Sequence, residues 1–278
     1  MSIMDFFRTI SCLYLFSLIS LFTLNAQSIP DKALPHFNSG NKSLKEQHWE
    51  IAEEHFSQAL RIHPYFAEAL NNRGIARYHQ KNFSGAMSDF LSALQLRPEW
   101  PTLFYNRANV KLIQGDFIGA EKDYTTTLSL NPKHTSAKFN KALTLYAQSN
   151  IPDAEKEVNE LLQLSPNYSS AWVLSALVQL QQKNLSAAAE FYSKALSQDS
   201  LSLRTHFNQA HLSFFTGDYA TAAKEFTVLI HKYPQDIGFR MHRGAALFLA
   251  GDSHKACEDW KFLHTSTEAQ QLLKELCK

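Results

Sequence analysis

The 278 residues carry 27 basic and 26 acidic side chains, a formal net charge of +1, and 45% of them are hydrophobic. So even a balance gives no electrostatic footprint for nucleic acid or for an anionic membrane surface. Length alone would suggest one or two globular domains, but a regular internal period overrides that estimate.

The chain begins with a segment unlike the rest. Arg8 is followed by an uncharged apolar run from Thr9 to Leu24, then Asn25-Ala26-Gln27. A short basic start, an apolar stretch and a small residue at the exit describe a secretory signal peptide over 1–26, cut after Ala26. The alternative is an uncleaved anchor in the inner membrane formed by residues 9–26, and only that alternative gives the chain a membrane contact. Removal of 1–26 takes Asp5 and Arg8 together, so the mature charge stays +1. Residues 27–32 are a short lead into the repeats.

From there the sequence is periodic. Proline stands at Pro64, Pro98, Pro132, Pro166 and Pro234, always at multiples of 34 residues, with Ser200 in the one missing place. Ala52, Ala86, Ala120, Ala154, Ala188, Ala222 and Ala256 keep the same step. This gives seven units: 33–66, 67–100, 101–134, 135–168, 169–202, 203–236 and 237–266. The first half of each carries a small residue where two helices must approach: Gly40, Gly74, Ala108, Ala142, Ala176, Ala210 and Gly244. Four residues after each alanine of the second half comes a large apolar one: Phe56, Phe90, Tyr124, Val158, Tyr192, Phe226 and Trp260. With Leu60, Leu94, Leu128, Leu162, Leu196 and Ile230 these make one apolar face at helical spacing. Pairs such as Gly115-Asp116, Ser149-Asn150, Lys183-Asn184, Gly217-Asp218 and Gly251-Asp252 end one helix and cap the next. The proline then stops the second helix, and Ser200 predicts a looser junction between the fifth and sixth units.

These columns resemble the tetratricopeptide repeat (TPR) family over residues 33–266. The resemblance implies an all-α fold: a right-handed superhelical solenoid of seven helix-turn-helix repeats, closed by a capping helix over 267–278. The tryptophan expected early in each unit appears only as Trp172. In the last segment Thr265-Ser266-Thr267-Glu268 offers a capping box, and Ala269, Leu272, Leu273 and Leu276 form an apolar stripe. If that helix folds back about residue 266, Cys257 comes within a turn of Cys277, leaving either a disulfide or two reduced thiols. The Cys257-Glu258-Asp259-Trp260 ending with a late cysteine also resembles the tail of exported bacterial proteins of this family.

Polar columns sort into two groups. Arg73, Arg107, Lys141 and Arg243 are followed sixteen residues later by Asp89, Asp123, Glu157 and Asp259, which predicts ion pairs joining helices within or between units. If exposed, each stabilises by roughly 0–1 kcal/mol. The second group lies on the first helix of each unit, the concave face in the solenoid the resemblance implies. It holds Asn38, Asn72, Asn106, Asn140 and Asn208, interrupted by Leu174 and His242, with Asn41 and Asn109 nearby. Each carboxamide offers both a donor and an acceptor, so the column either grips the backbone of an extended peptide or merely orders the groove. The first possibility resembles the asparagine ladder of peptide-holding TPR superhelices. Phe37, Tyr105, Phe139 and Phe207 flank it as candidate groove aromatics, and part of the aromatic set must pack between helices instead. A division of the groove is expected beside Ser200, where Leu174 interrupts the asparagines.

The family's clamp for a C-terminal carboxylate is not reproduced. Phe37 and Thr102 stand where it needs lysines and Asn106 where it needs arginine, so only Asn41 and Asn72 fit. No HExxH motif, phosphate-binding glycine loop or GxSxG elbow occurs. His48 and His55 are seven apart, and Cys257 and Cys277 have no histidine pair at zinc spacing. His79, His211, His231 and His242 read as surface or groove residues. The sequence therefore predicts a non-enzymatic scaffold without metal or cofactor. It would bind an extended peptide or helix of a protein partner, with no small-molecule substrate, in the periplasm, outer envelope or secreted space. The alternative is a self-associating spacer or a membrane-anchored assembly factor with no peptide ligand.

Overall fold

The computed structural model describes residues 29–277, so the expected leader and the alternative anchor lie outside the described residues. Among those described, fifteen helices and no strands occur. In the first compact unit, which ends at Ala137, they are α1 (Leu34–Lys45), α2 (Trp49–Ile62), α3 (Ala67–His79), α4 (Phe83–Leu96), α5 (Pro101–Ile113) and α6 (Phe117–Leu130). Helix α7 (Thr135–Ala147) contains the dividing line. The second unit, from Lys138, continues with α8 (Ile151–Leu164), α9 (Ser169–Gln181), α10 (Leu185–Gln198), α11 (Leu203–Thr216), α12 (Tyr219–Lys232), α13 (Ile237–Leu249), α14 (Ser253–Phe262) and α15 (Thr267–Leu276). No described helix is long and apolar enough to cross a membrane.

Each hairpin closes on the same residues. The seven periodic alanines are fully buried, as are Phe56, Phe90 and Tyr124 in the first unit and Val158, Tyr192, Phe226 and Trp260 in the second, at 0–1% exposure. Burying each such side chain stabilises by roughly 1.5–3 kcal/mol. The small residue opposite is what lets the ring in: a Cβ built on Gly74 would sit 2.6 Å from Phe90 Cε1.

The turns inside the hairpins need a left-handed residue, and it is found at Gly115, Gly217 and Gly251 but also at Gln47, Lys81, Ser149 and Lys183, with φ between 59° and 93°. The residue after it caps the next helix. Asn82, Asp116, Asn184, Asp218 and Asp252 each accept the backbone N–H three residues on. Asn150 departs from the pattern, because its amide donates to Asp153 at 2.8 Å instead, and His48 after Gln47 makes no side-chain cap.

The predicted ion pairs form inside hairpins and are more buried than expected. Arg73 donates twice to Asp89 at 2.7 and 3.0 Å, and Arg77 adds a third bond at 2.9 Å. Arg107 and Lys111 converge on Asp123, Lys141 and Lys138 on Glu157, and Arg243 and Arg240 on Asp259. The aspartate side chains are only 2–4% exposed, which removes them from the regime of weak surface pairs. Arg77 also reaches back to Glu53 of the preceding hairpin at 2.7 Å. Burial alone would raise the Glu53 carboxyl; the bonds from Arg77 and Gln80 outweigh it and hold the carboxyl below its ordinary value.

The junction at Ser200 is pinned, contrary to expectation. His206 Nε2 donates to the Ser200 carbonyl at 2.9 Å, its Nδ1 meets the Glu225 carboxylate, and Ser202 is hydrogen-bonded to Thr205. A buried histidine does there what the ring of proline does elsewhere. The compact units accordingly divide between Ala137 and Lys138 and not beside Ser200.

The last helix also differs in detail. The Ser266 N–H bonds to the Leu263 carbonyl, which makes Ser266 the N-cap, its hydroxyl accepting from Ala269. Glu268 then sits one position too early for the capping box. Ala269 is buried against Trp260 and Leu263 with Leu272 and Leu273 beside it, whereas Leu276 is 38% exposed. Cys257 and Cys277 are joined by a disulfide, with Cα atoms 5.9 Å apart.

Candidate functional site

In the first unit, the first helices α1, α3 and α5 bring their asparagines into one chain of amides. Asn106 donates to Asn71 at 2.8 Å, Asn71 to Asn72 at 2.9 Å, and Asn72 to Asn41 at 2.7 Å. The helical repeat explains it: positions 31 to 35 residues apart face each other across neighbouring first helices. Asn71 is the residue that sequence reasoning missed. It occupies the column otherwise held by Phe37, Tyr105, Phe139, Val173, Phe207 and Met241, and a lone amide in an apolar and aromatic column was the available signal. It is buried at 4% exposure, where an amide needs partners.

Beside this relay lies a hollow of about 280 Å³ lined by Ile75, Tyr78, His79, Phe90, Tyr105, Asn106 and Asn109. None of these side chains is Asp, Glu, Lys or Arg. Asn109 accepts from the Tyr124 hydroxyl at 2.6 Å, which ties the floor of the hollow to the second helix of its hairpin. Burial, then the neighbouring Tyr105, holds the Tyr78 phenol above its ordinary value, so it stays a neutral hydrogen-bonding group. His79 stacks on Trp49 at 4.1 Å and closes one side. Asn38 is exposed on α1 and joins none of these bonds.

The aromatic candidates divide. Tyr105 lines the hollow and rests on His134 at 4.7 Å, and Phe207 is 42% exposed in the second unit. Phe37 and Phe139 instead fill the packing between hairpins. Phe37 lies 4.5 Å from Phe66, and Phe139 lies 5.4 Å from Tyr168, each partner being the residue just before the next first helix. A helical side chain leans toward its own N-terminus, which carries these rings, like Tyr105 onto His134, toward the residue that enters the next first helix.

In the second unit the asparagine column is sparser. Asn140 is engaged within its surroundings, Leu174 is buried in the core, and Asn208 is hydrogen-bonded to Tyr192. Burial pushes the Tyr192 phenol up to about 12, so that bond is made to a neutral hydroxyl. The exposed first-helix residues here include Phe207, Phe215 and Leu249 beside Arg204 and His242, with His211 half-buried.

No curated protein sequence matches the chain. In fold it is similar to a tetratricopeptide repeat protein from Parabacteroides merdae ATCC 43184, at 20% identity and a TM-score of 0.64, over 89% of this chain and 98% of that one. It is similar also to PilF of Pseudomonas aeruginosa, at 17% identity and TM-score 0.65, over 76% and 96% of the two chains. A third likeness is to YrrB, described as a TPR protein with an unusual peptide-binding site, at 21% identity and TM-score 0.52, over 60% and 87%. At these identities the likeness is one of fold. The sequence model of the tetratricopeptide repeat family matches residues 39–101, 105–169 and 141–202, more than half of the chain. The same small-residue, alanine and aromatic columns continue past the matched residues to Trp260. The 34-residue period, the buried alanines and the family match together make this chain a member of the tetratricopeptide repeat family, built as an all-α solenoid of stacked hairpins.

Proposed function

We propose that this protein-interaction scaffold holds an extended, uncharged segment of a protein partner on the first-helix face of its first unit, in the cell envelope. The observation that carries the reading is the amide relay beside an apolar hollow with no charged lining. Asn106 uses one of its two N–H groups on Asn71, and Asn72 gives one N–H and takes one bond. Each keeps a donor and acceptor capacity for a peptide backbone, while the relay fixes its orientation in advance. An apolar side chain of the same segment fits the hollow between Ile75, Tyr78 and Tyr105. The fold likeness to YrrB, a TPR protein described by its peptide-binding site, supports a peptide as the ligand. The envelope is supported by the apolar leader read over 1–26 and by the Cys257–Cys277 disulfide, a bond that persists in oxidising compartments.

The test is capture of partners from an envelope extract by the purified protein, with Asn72→Ala/Asn106→Ala as the informative variant. Two lost hydrogen bonds at about 0.5–1.5 kcal/mol each weaken capture by roughly tenfold or more. Glu54→Ala/Arg61→Ala, which removes an exposed pair on α2, serves as the control and leaves capture unchanged. Equal recovery by the asparagine variant and the control would sink the reading.

A further inference from the structure

His211 and His242 stand 31 residues apart on α11 and α13, the spacing that separates Asn41 from Asn72 on α1 and α3. In that earlier pair the amide of one side chain lies 2.7 Å from the oxygen of the other. The two positions therefore bring polar side-chain ends together across neighbouring first helices. In the second unit both are imidazoles, with ring centres 5.2 Å apart and planes at 77°. Two imidazoles bound to one tetrahedral ion through metal–nitrogen distances of about 2.0–2.1 Å hold their ring centres about 5 Å apart.

We propose that His211 and His242 form a two-imidazole site for a divalent transition-metal ion of the zinc, nickel and copper class. His242 Nδ1 lies 2.7 Å from the Gly238 carbonyl, which can only accept, so Nδ1 carries a proton and Nε2 is the nitrogen left to bind a metal. A ligand histidine is oriented in just this way, by giving its other N–H to a backbone carbonyl. The rings of Phe207 and Phe226 meet His211 edge-to-face, with centres 4.4 and 5.4 Å away, and shield that side from water. Among the described residues no group of three histidine, cysteine, aspartate or glutamate side chains is placed to hold an ion. The pair thus supplies two ligands and leaves the remaining positions to water or to a side chain of a bound partner. Two nitrogens with no carboxylate favour zinc, nickel or copper over magnesium or calcium.

The experiment is a calorimetric titration of the purified, untagged protein with zinc chloride at pH 7.5, repeated with His211→Asn and His242→Asn. The double substitution recreates the amide pair that Asn41 and Asn72 already form, and a circular dichroism melt checks that each variant folds. One saturable zinc equivalent is expected, weakened by roughly tenfold or more in either single variant. Copper electron paramagnetic resonance should show two coordinated nitrogens in the unsubstituted protein and fewer in each variant. Lack of a saturable site would overturn the proposal, as would binding unchanged in either folded variant.

Discussion

Asp89 accepts three guanidinium hydrogen bonds with 3% of its side chain exposed, whereas Glu54 and Arg61 meet 3.1 Å apart with more than half of each side chain in solvent. The two pairs look alike in a list of contacts and differ in energy. Asp89→Asn keeps the shape but leaves the largely buried Arg73 without its counter-charge and Arg77 with Glu53 alone. Breaking a buried pair this way costs about 3 kcal/mol or more, against about 1 kcal/mol or less for Glu54→Gln. Urea denaturation of the two variants checks the contrast, and equal losses would show that solvent reaches Asp89. The Arg73–Asp89 pairing was legible because a sixteen-residue spacing recurs in four units. Its burial was not, nor was the third partner Arg77, which lies on the same helix four residues on and whose twelve-residue spacing to the acid recurs only in the next unit, as Lys111 and Asp123. Asn71 escaped for a related reason: column statistics describe what a position usually holds, and its bond to Asn106 depends on the one unit that breaks the pattern.

At the scale of the element, what repeats is a geometry that different residues satisfy at different cost. The turn inside each hairpin demands a left-handed residue, and Lys183 adopts φ 62° where Gly217 adopts φ 84° in the next unit. A side chain in that region is strained by roughly 1–2 kcal/mol, and glycine gives part of this back as unfolded-state entropy. Lys183→Gly should therefore stabilise by roughly 0.5–1 kcal/mol, and Gly217→Ala should destabilise by a similar amount. Thermal melts of both settle it; a destabilised Lys183→Gly would mean that the lysine side chain makes a contribution the turn geometry does not explain. The hairpin boundaries were readable because prolines, glycines and capping residues act locally. The Ser200 junction and the start of α15 were not, since each depends on a distant or competing bond: His206 reaching the Ser200 carbonyl, and the Leu263 carbonyl selecting Ser266 over Thr265 as the cap.

For the whole molecule, hairpins that pack on their neighbours within each of two compact units leave no single core to melt at once. The described chain forms two compact units, and its four tryptophans fall two in each: Trp49 and Trp100 before Ala137, Trp172 and Trp260 after it. Fluorine-labelled tryptophan therefore gives a separate resonance for each region. Trp260 is 1% exposed in the cluster that Cys277 completes, and Trp100 packs on the core of α2 to α5. Closing the twenty-residue loop between Cys257 and Cys277 stabilises by about 3 kcal/mol, and that constraint acts on α14 and α15 alone. Reduction should then lower the urea midpoint read at Trp260 and leave Trp100 where it was. Asp89→Asn should do the reverse, because Asp89 lies in the cluster around Trp100's unit. If all four resonances keep one shared midpoint under both changes, the coupling between hairpins exceeds the perturbations and the chain unfolds as a single cooperative body. If they separate, binding at the first unit and any metal held by the second can be measured independently in the intact protein.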